Sequence, residues 1–253
     1  MGPTDTLRRA EASRPMPPKA TTNDSPIQGD VVVTIDGPAG TGKSTVARLL
    51  AARLGLDFLD TGSMYRAAAA IVIDRDIDTS DTASIVRVVA DADLHFDWAL
   101  DPPEILAWLK PMNGRIRDAD VTRLVSPLAA VGELRDHLVR KQRIIAQQHP
   151  RLVSEGRDQG SIVFPDADVK FYLDADVEVR ASRRAEQLAE AGHAVQTAAE
   201  LCREIRERDE GDMGRAVGPL VCPEDAVRVD TGPLTLEGVV DLLERECRER
   251  LRS

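Results

Sequence analysis

One octapeptide has the residue types and spacing to hold a phosphate chain. Gly37-Pro38-Ala39-Gly40-Thr41-Gly42-Lys43-Ser44 places glycines at its first and sixth positions, then a lysine and a hydroxyl. Glycines let a backbone curl until successive N–H groups face one anion, and a following helix adds the positive potential of its N-terminus. In that setting Lys43 reaches the β- and γ-phosphates and the Ser44 hydroxyl suits Mg²⁺. The stretch from Gly37 to Ser44, with Thr45 beside it, is therefore a candidate ATP site, with Mg²⁺ as cofactor and Ser44 as its ligand. The pattern arises by chance in about one in a hundred chains of this length. Here it also follows an apolar β-branched run, Val31-Val32-Val33-Thr34-Ile35, and precedes a helical pattern. An ordinary strand-to-helix turn has no use for a lysine at that place.

A phosphate loop does not name a reaction. GTPases read guanine with an [NT]-K-x-D element, and none of the five lysines is followed at the second position by aspartate. The D-F-G signature of protein kinases is absent, as is the glycine-rich signature of transport ATPases. What remains is a kinase acting on a small acceptor.

Three further segments bear on that acceptor. They are Leu59-Asp60-Thr61-Gly62-Ser63-Met64-Tyr65-Arg66; Ser154-Glu155-Gly156-Arg157-Asp158-Gln159-Gly160 with Val163-Phe164-Pro165-Asp166-Ala167; and Glu207-Arg208-Asp209 with Asp212 and Arg215. With the phosphate loop, they make the chain resemble bacterial cytidylate kinase from about Val31 to near its C-terminus. The resemblance implies an α/β P-loop kinase fold with a five-stranded parallel sheet, a lid at about 208–219 and an acceptor-binding insertion at about 76–116. It implies phosphorylation of CMP or dCMP by ATP in a monomer. By position, Arg66 and Arg157 match grips on the acceptor phosphate. Thr61, Arg135 and Asp158 match positions that read cytosine, and Ser126, Arg208 and Asp212 lie near the sugar. Lys43, Arg157, Arg208 and Arg215 match the groups that meet the transferring phosphoryl. A carboxylate at Asp158 accepts a hydrogen bond from an exocyclic amino group, as cytosine N4 requires.

Blander readings stand beside these. Arg135 shares an amphipathic helix with Arg140 and Arg143 and could be surface charge. Arg157-Asp158 could be a local ion pair, although its place after a strand end favours a site. Arg180, Arg183 and Arg184 read as a solvated helix face. Gln159 stands where the family usually has an aliphatic residue, which leaves a UMP kinase or a kinase of another small acceptor open. A glycine-rich lid with Met213 in it leaves a non-catalytic nucleotide-binding scaffold open.

The elements that must position these groups alternate. Strands are expected at 31–35, 58–59, 152–153, 169–173 and 226–229. Helices are expected at 44–54, 63–73, 81–92 (capped by Ser80), 119–130, 133–148, 177–191, 198–210 and 236–251. A loop spans 211–219 and a small β insertion lies within 93–118. Such alternation means a parallel sheet with crossover helices. Residues 1–30, rich in proline and hydroxyls, read as a disordered tail before one kinase domain at 31–253.

The chain has 253 residues, 33 Lys+Arg against 43 Asp+Glu and a net charge of −10. An acidic chain is a poor partner for nucleic-acid polymers or anionic membranes, so positive charge must be gathered locally. Of the 33 basic residues 28 are arginine, the side chain that grips phosphate with two parallel donors. Three cysteines without a C-x-x-C pair fit reduced thiols in a cytoplasm.

Overall fold

The computed structural model describes residues 29–190, 192 and 196–251. The expected tail falls almost wholly outside them. Five strands, β1 (Val31–Asp36), β2 (Asp57–Asp60), β6 (Arg151–Glu155), β7 (Val169–Asp174) and β8 (Val227–Asp230), form one sheet in the order β2-β6-β1-β7-β8. Every neighbouring pair is parallel. The central β1 and β7 are buried along almost their whole length: Val31, Val33, Ile35, Val169, Phe171 and Leu173 line one face, and the other carries the buried polar groups Thr34, Asp36 and Lys170 beside Tyr172. The helices α1 (Lys43–Leu54) and α8 (Leu236–Arg250) supply one covering layer, where Val46, Leu50, Val240 and Leu243 meet Ile35, Phe171 and Leu173. The opposite layer is built from α2 (Thr61–Asp74), α3 (Thr82–Asp91), α4 (Ala119–Ala129) and α5 (Gly132–Gln148). Four consecutive alanines of α2, Ala67 to Ala70, are fully buried; their small side chains let neighbouring helices approach closely. The insertion is a three-stranded antiparallel sheet, β3 (His95–Asp97), β4 (Glu104–Ala107) and β5 (Lys110–Pro111). Its Phe96 and Ile105 join the α2–α5 core. The helices α6 (Val177–Glu190) and α7 (Ala198–Met213) pack on each other through Ala181, Leu201 and Ile205.

Strand register carries the chemistry. Asp60 lies beside Glu155, and Glu155 beside Ile35, so Asp60, Glu155 and Asp36 gather at the C-terminal ends of three adjacent strands. Ligands of open α/β sheets bind at such ends.

Two expectations are corrected, and one element is new. The cap of α3 is Asp81, whose carboxylate accepts from the Ser84 N–H at 3.0 Å; Ser80 turns back to Asp78 instead. The helix α7 does not stop at residue 210 but runs through Gly211 and Asp212 to Met213. A glycine costs a helix about 1 kcal/mol, too little to end one whose Asp212 is held by two arginines. Residues 159–163 form a single π-helical turn that periodicity did not reveal.

Gly37 leaves β1 with φ 145°, and a Cβ there would overlap the carbonyl oxygen of Leu173. Gly37→Ala is expected to lower unfolding free energy by about 3 kcal/mol. Denaturant titration of the nucleotide-free protein measures it.

Candidate active site

The phosphate loop takes the shape its glycines permit. Gly40 and Gly42 adopt left-handed φ values of 83° and 88°. The helix α1 then starts at Lys43 with no side chain capping it, so its first N–H groups are left for a ligand. Lys43 is buried, and its Nζ donates to Pro38 O at 2.7 Å and weakly to Thr41 Oγ1 at 3.5 Å. Burial pulls its ammonium well below the ordinary lysine range; Arg157 and Arg208 push the same way, and Glu155 opposes. Ser44 Oγ donates to Glu155 Oε1 at 2.7 Å, and Thr45 is exposed.

The acceptor-side residues sit on different elements. Thr61 opens α2 and donates from its hydroxyl to Glu155 O at 2.7 Å. Arg66, one turn later, donates to Thr122 Oγ1 at 3.1 Å. Arg157 donates through Nε to Asp212 Oδ2 at 2.8 Å, and Arg215 approaches the other oxygen of the same carboxylate at 3.5 Å. Arg135 is 2 % exposed and pairs with Asp158, itself 3 % exposed. Neither bland reading survives: Arg135 is not surface charge, and the partner of Asp158 is not its neighbour Arg157. Ser126 lies half-buried on α4, and Arg208 lies half-buried on α7.

Electrostatics tie these groups into one cleft. The guanidinium of Arg208 is pushed down to about 10, first by burial and then by Arg157 and Arg66. Arg66 is lowered by burial, and Arg117, Arg157 and Arg184 add to that against Asp60. Lys43, Arg66, Arg157 and Arg208 thus crowd one another. A bound polyanion relieves both their repulsion and their lost hydration.

Three features escaped sequence reading. Asp36, the residue before the phosphate loop, is buried and accepts from Gln159 N at 2.8 Å and Gly160 N at 2.7 Å. It joins the start of the phosphate loop to the turn carrying Arg157 and Asp158. Glu155 is buried with its carboxyl raised by burial and by Asp60. Both sit at strand C-termini, and that position was the available signal. The third is Arg180, whose expected solvation is overturned. It is buried on α6 and donates to Ala175 O, Ala39 O and Asp209 Oδ2 at 2.9, 3.1 and 2.6 Å. Arg183 likewise donates to Thr231. Helical spacing shows which residues share a face, not what packs against it.

The residues present suit a magnesium ion shared with a nucleotide. Mg²⁺ usually takes one or two carboxylates plus phosphate oxygens and water. The Ser44 hydroxyl and the buried Glu155 carboxylate, with Asp60 near, are such a donor set. No group of three or more His, Cys, Asp or Glu able to cage a metal exists among the described residues.

Comparison with known proteins bears on this geometry. The profile of the cytidylate kinase family matches residues 33–249. The chain is 44% identical over 211 residues to a cytidylate kinase of Methylococcus capsulatus, covering 83% of this chain and 94% of that protein. It is 42% identical over 232 residues to a cytidylate kinase of Nocardia farcinica, covering 91% and 97%. A cytidylate kinase of Aeromonas salmonicida is 40% identical over 209 residues, covering 83% and 90%.

Asp36 supplies a pH test. Burial pushes its carboxyl from 3.8 up to about 6 in spite of its two backbone donors. The folded state then holds a proton that the unfolded chain releases, so stability falls as pH rises from about 4 to 6. The linked change is about 3 kcal/mol. Asp36→Asn lacks this slope. Its stability deficit against wild type should shrink across that window, read by urea unfolding from pH 4 to 7.

Proposed function

The chain belongs to the cytidylate kinase family, and from that premise we propose that its cleft transfers the γ-phosphoryl group of ATP to CMP or dCMP, with Mg²⁺. The observation that carries the reading is the convergence of Lys43, Arg66, Arg157 and Arg208 between the phosphate loop and the buried Arg135–Asp158 pair. One side of the cleft suits a triphosphate, the other a monophosphate with a base beyond it.

The residue roles follow from where the groups lie. Backbone N–H groups of the loop from Gly37 to Thr45, Pro38 excepted, and the start of α1 hold the donor phosphates. Lys43 now bonds only loop oxygens, so its ammonium can turn to an incoming phosphate. Ser44 and Glu155 hold the ion, which when bound screens charge on the transferring group. Arg66 and Arg157 grip the acceptor phosphate. That phosphate is largely ionised at neutral pH, with a second pKa of about 6, so no general base is required. Catalysis then rests on positioning and on cations aimed at developing charge.

Asp158 accepts from the exocyclic amine of cytosine while Arg135 holds the carboxylate in place, and Thr61, held to Glu155 O, reads the base with them. Ser126, Arg208 and Asp212 face the sugar. Arg215 and Asp212 come from the end of α7 and the chain just beyond it, where the Leu220 N–H donates to Asp212 O. This segment is the lid: Asp212 now neutralises Arg157, and arrival of the acceptor phosphate exchanges one anion for another. The three cysteines are free, and no described helix is long and apolar enough to cross a membrane. Free thiols suit a cytoplasmic enzyme.

A coupled ADP-release assay over CMP, dCMP, UMP, AMP and GMP tests the reading; no turnover with either cytidine nucleotide overturns it. A UMP preference would identify the rival acceptor. Tight ATP binding without transfer would identify a scaffold. Lys43→Ala is expected to lower kcat about 10²- to 10³-fold with every acceptor. Asp158→Ala removes the acceptor and should lose the preference for cytidine nucleotides. Equal loss across acceptors in both variants would contradict this division of labour.

A further inference from the structure

A second link lies behind the Arg135–Asp158 pair, made of groups with no charge. Gln159 follows Asp158 directly and is 1 % exposed. Its Oε1 accepts from Ser154 Oγ at 2.8 Å, and its Nε2 donates to Gln142 Oε1 at 3.3 Å. Gln142 and Ser154 are fully buried. Gln142 stands seven residues after Arg135 on α5, two turns along the same face. So α5 and the end of the turn beside Asp158 are tied twice, once through Arg135–Asp158 and once through the two amides, while Arg143 holds the far end at Ile162 O and Val163 O.

Buried polar groups without a substrate to read are costly, and three apolar residues would fill this space at less risk. The alternative role, plain packing, does not account for the direction of the bonds. Ser154 is on β6, beside the strand end that carries Glu155. Gln159 N also donates to Asp36. The Gln159 residue is thereby fixed at three points: β1, β6 and α5. Its backbone neighbour Asp158 inherits that placement. Arg143 fixes the far end of the turn; the amide pair fixes the end next to Asp158.

We propose that Gln142, Gln159 and Ser154 are positioning residues for the acceptor base. They set the spacing between α5 and the 157–160 turn at which Arg135 and Asp158 present a fixed hydrogen-bonding edge. The proposal rests on the reading of Asp158 and Arg135 as the base-reading pair. Its effect is on discrimination among acceptors, not on phosphoryl transfer.

The test uses the full-length protein with Gln159→Leu, Gln159→Met, Gln142→Leu and the double Gln142→Leu/Gln159→Leu. Steady-state kinetics are measured for CMP, UMP and AMP at saturating ATP, and melting temperature is read on the same samples. Removing one amide leaves its partner unpaired, so each single variant should raise KM for the preferred acceptor about tenfold. kcat and KM for ATP should stay within about twofold, and the preference over the other bases should fall. The double variant removes both amides; it should recover melting temperature relative to the singles but not recover discrimination. Gln159→Met keeps an unbranched side chain of similar length and serves if leucine prevents folding. Variants that lose stability while keeping KM and base preference overturn the proposal, and so does a uniform loss of kcat with all acceptors. Wild-type kinetics separate the two readings. If wild type prefers an acceptor other than a cytidine nucleotide, the cytosine assignment fails, and positioning is scored on the acceptor it does prefer.

Discussion

Repulsion among Lys43, Arg66, Arg157 and Arg208 is the constraint around which the site is arranged. Each of these cations is at least partly withdrawn from water, and each lies within electrostatic reach of at least one other. A protein that crowds cations must either neutralise them or hold them rigidly until a polyanion arrives. This fold does both. Asp212 neutralises Arg157, Asp209 holds Arg180, and Glu155 and Asp60 lie beside Lys43 and Arg66. Rigidity comes from the sheet, whose register fixes the carboxylates at adjacent strand ends.

The carboxylates are not equivalent. Asp36 has no cation bonded to it; its oxygens take two backbone N–H groups, and its task is to hold one loop against another. Glu155 accepts from the Ser44 hydroxyl through one oxygen, beside Lys43 and Asp60. Asp158 is locked to Arg135 deep in the acceptor side. Asp212 lies near the end of α7, where it accepts from Arg157 and its carbonyl accepts from the Leu220 N–H. Burial, partner and place in the chain divide one functional group into four environments.

How much of this was legible in the sequence depended on the range of each interaction. The phosphate loop was fully legible because its geometry lies within eight residues. The strand-and-helix alternation gave the α/β class and nearly all elements. The pairing of Arg135 with Asp158 needed a helix and a turn brought together from 23 positions apart, and from residue types alone it was open between charge and site. The bonds from Asp36 to residues 159 and 160 cross more than 120 positions and have no local signature. Arg180 was misjudged because a helical stripe of arginines looks the same whether water or a loop covers it. The end of α7 was misjudged because Gly211 weighs little against the ionic contacts of Asp212, and the helix stops only at Gly214.

The parallel pairing of β1 with β6 has a consequence for how the protein is made. Val31 pairs with Arg151, so the first strand waits for roughly half the chain before its partner exists. Closing so long a loop costs entropy before any contact repays it. On a ribosome, the phosphate loop therefore emerges long before the strands that aim it. A nascent chain displays the lysine and glycines but has neither Glu155 nor the 157–160 turn to work with. Synthesis itself keeps the nucleotide site from assembling until the acceptor side is ready to meet it.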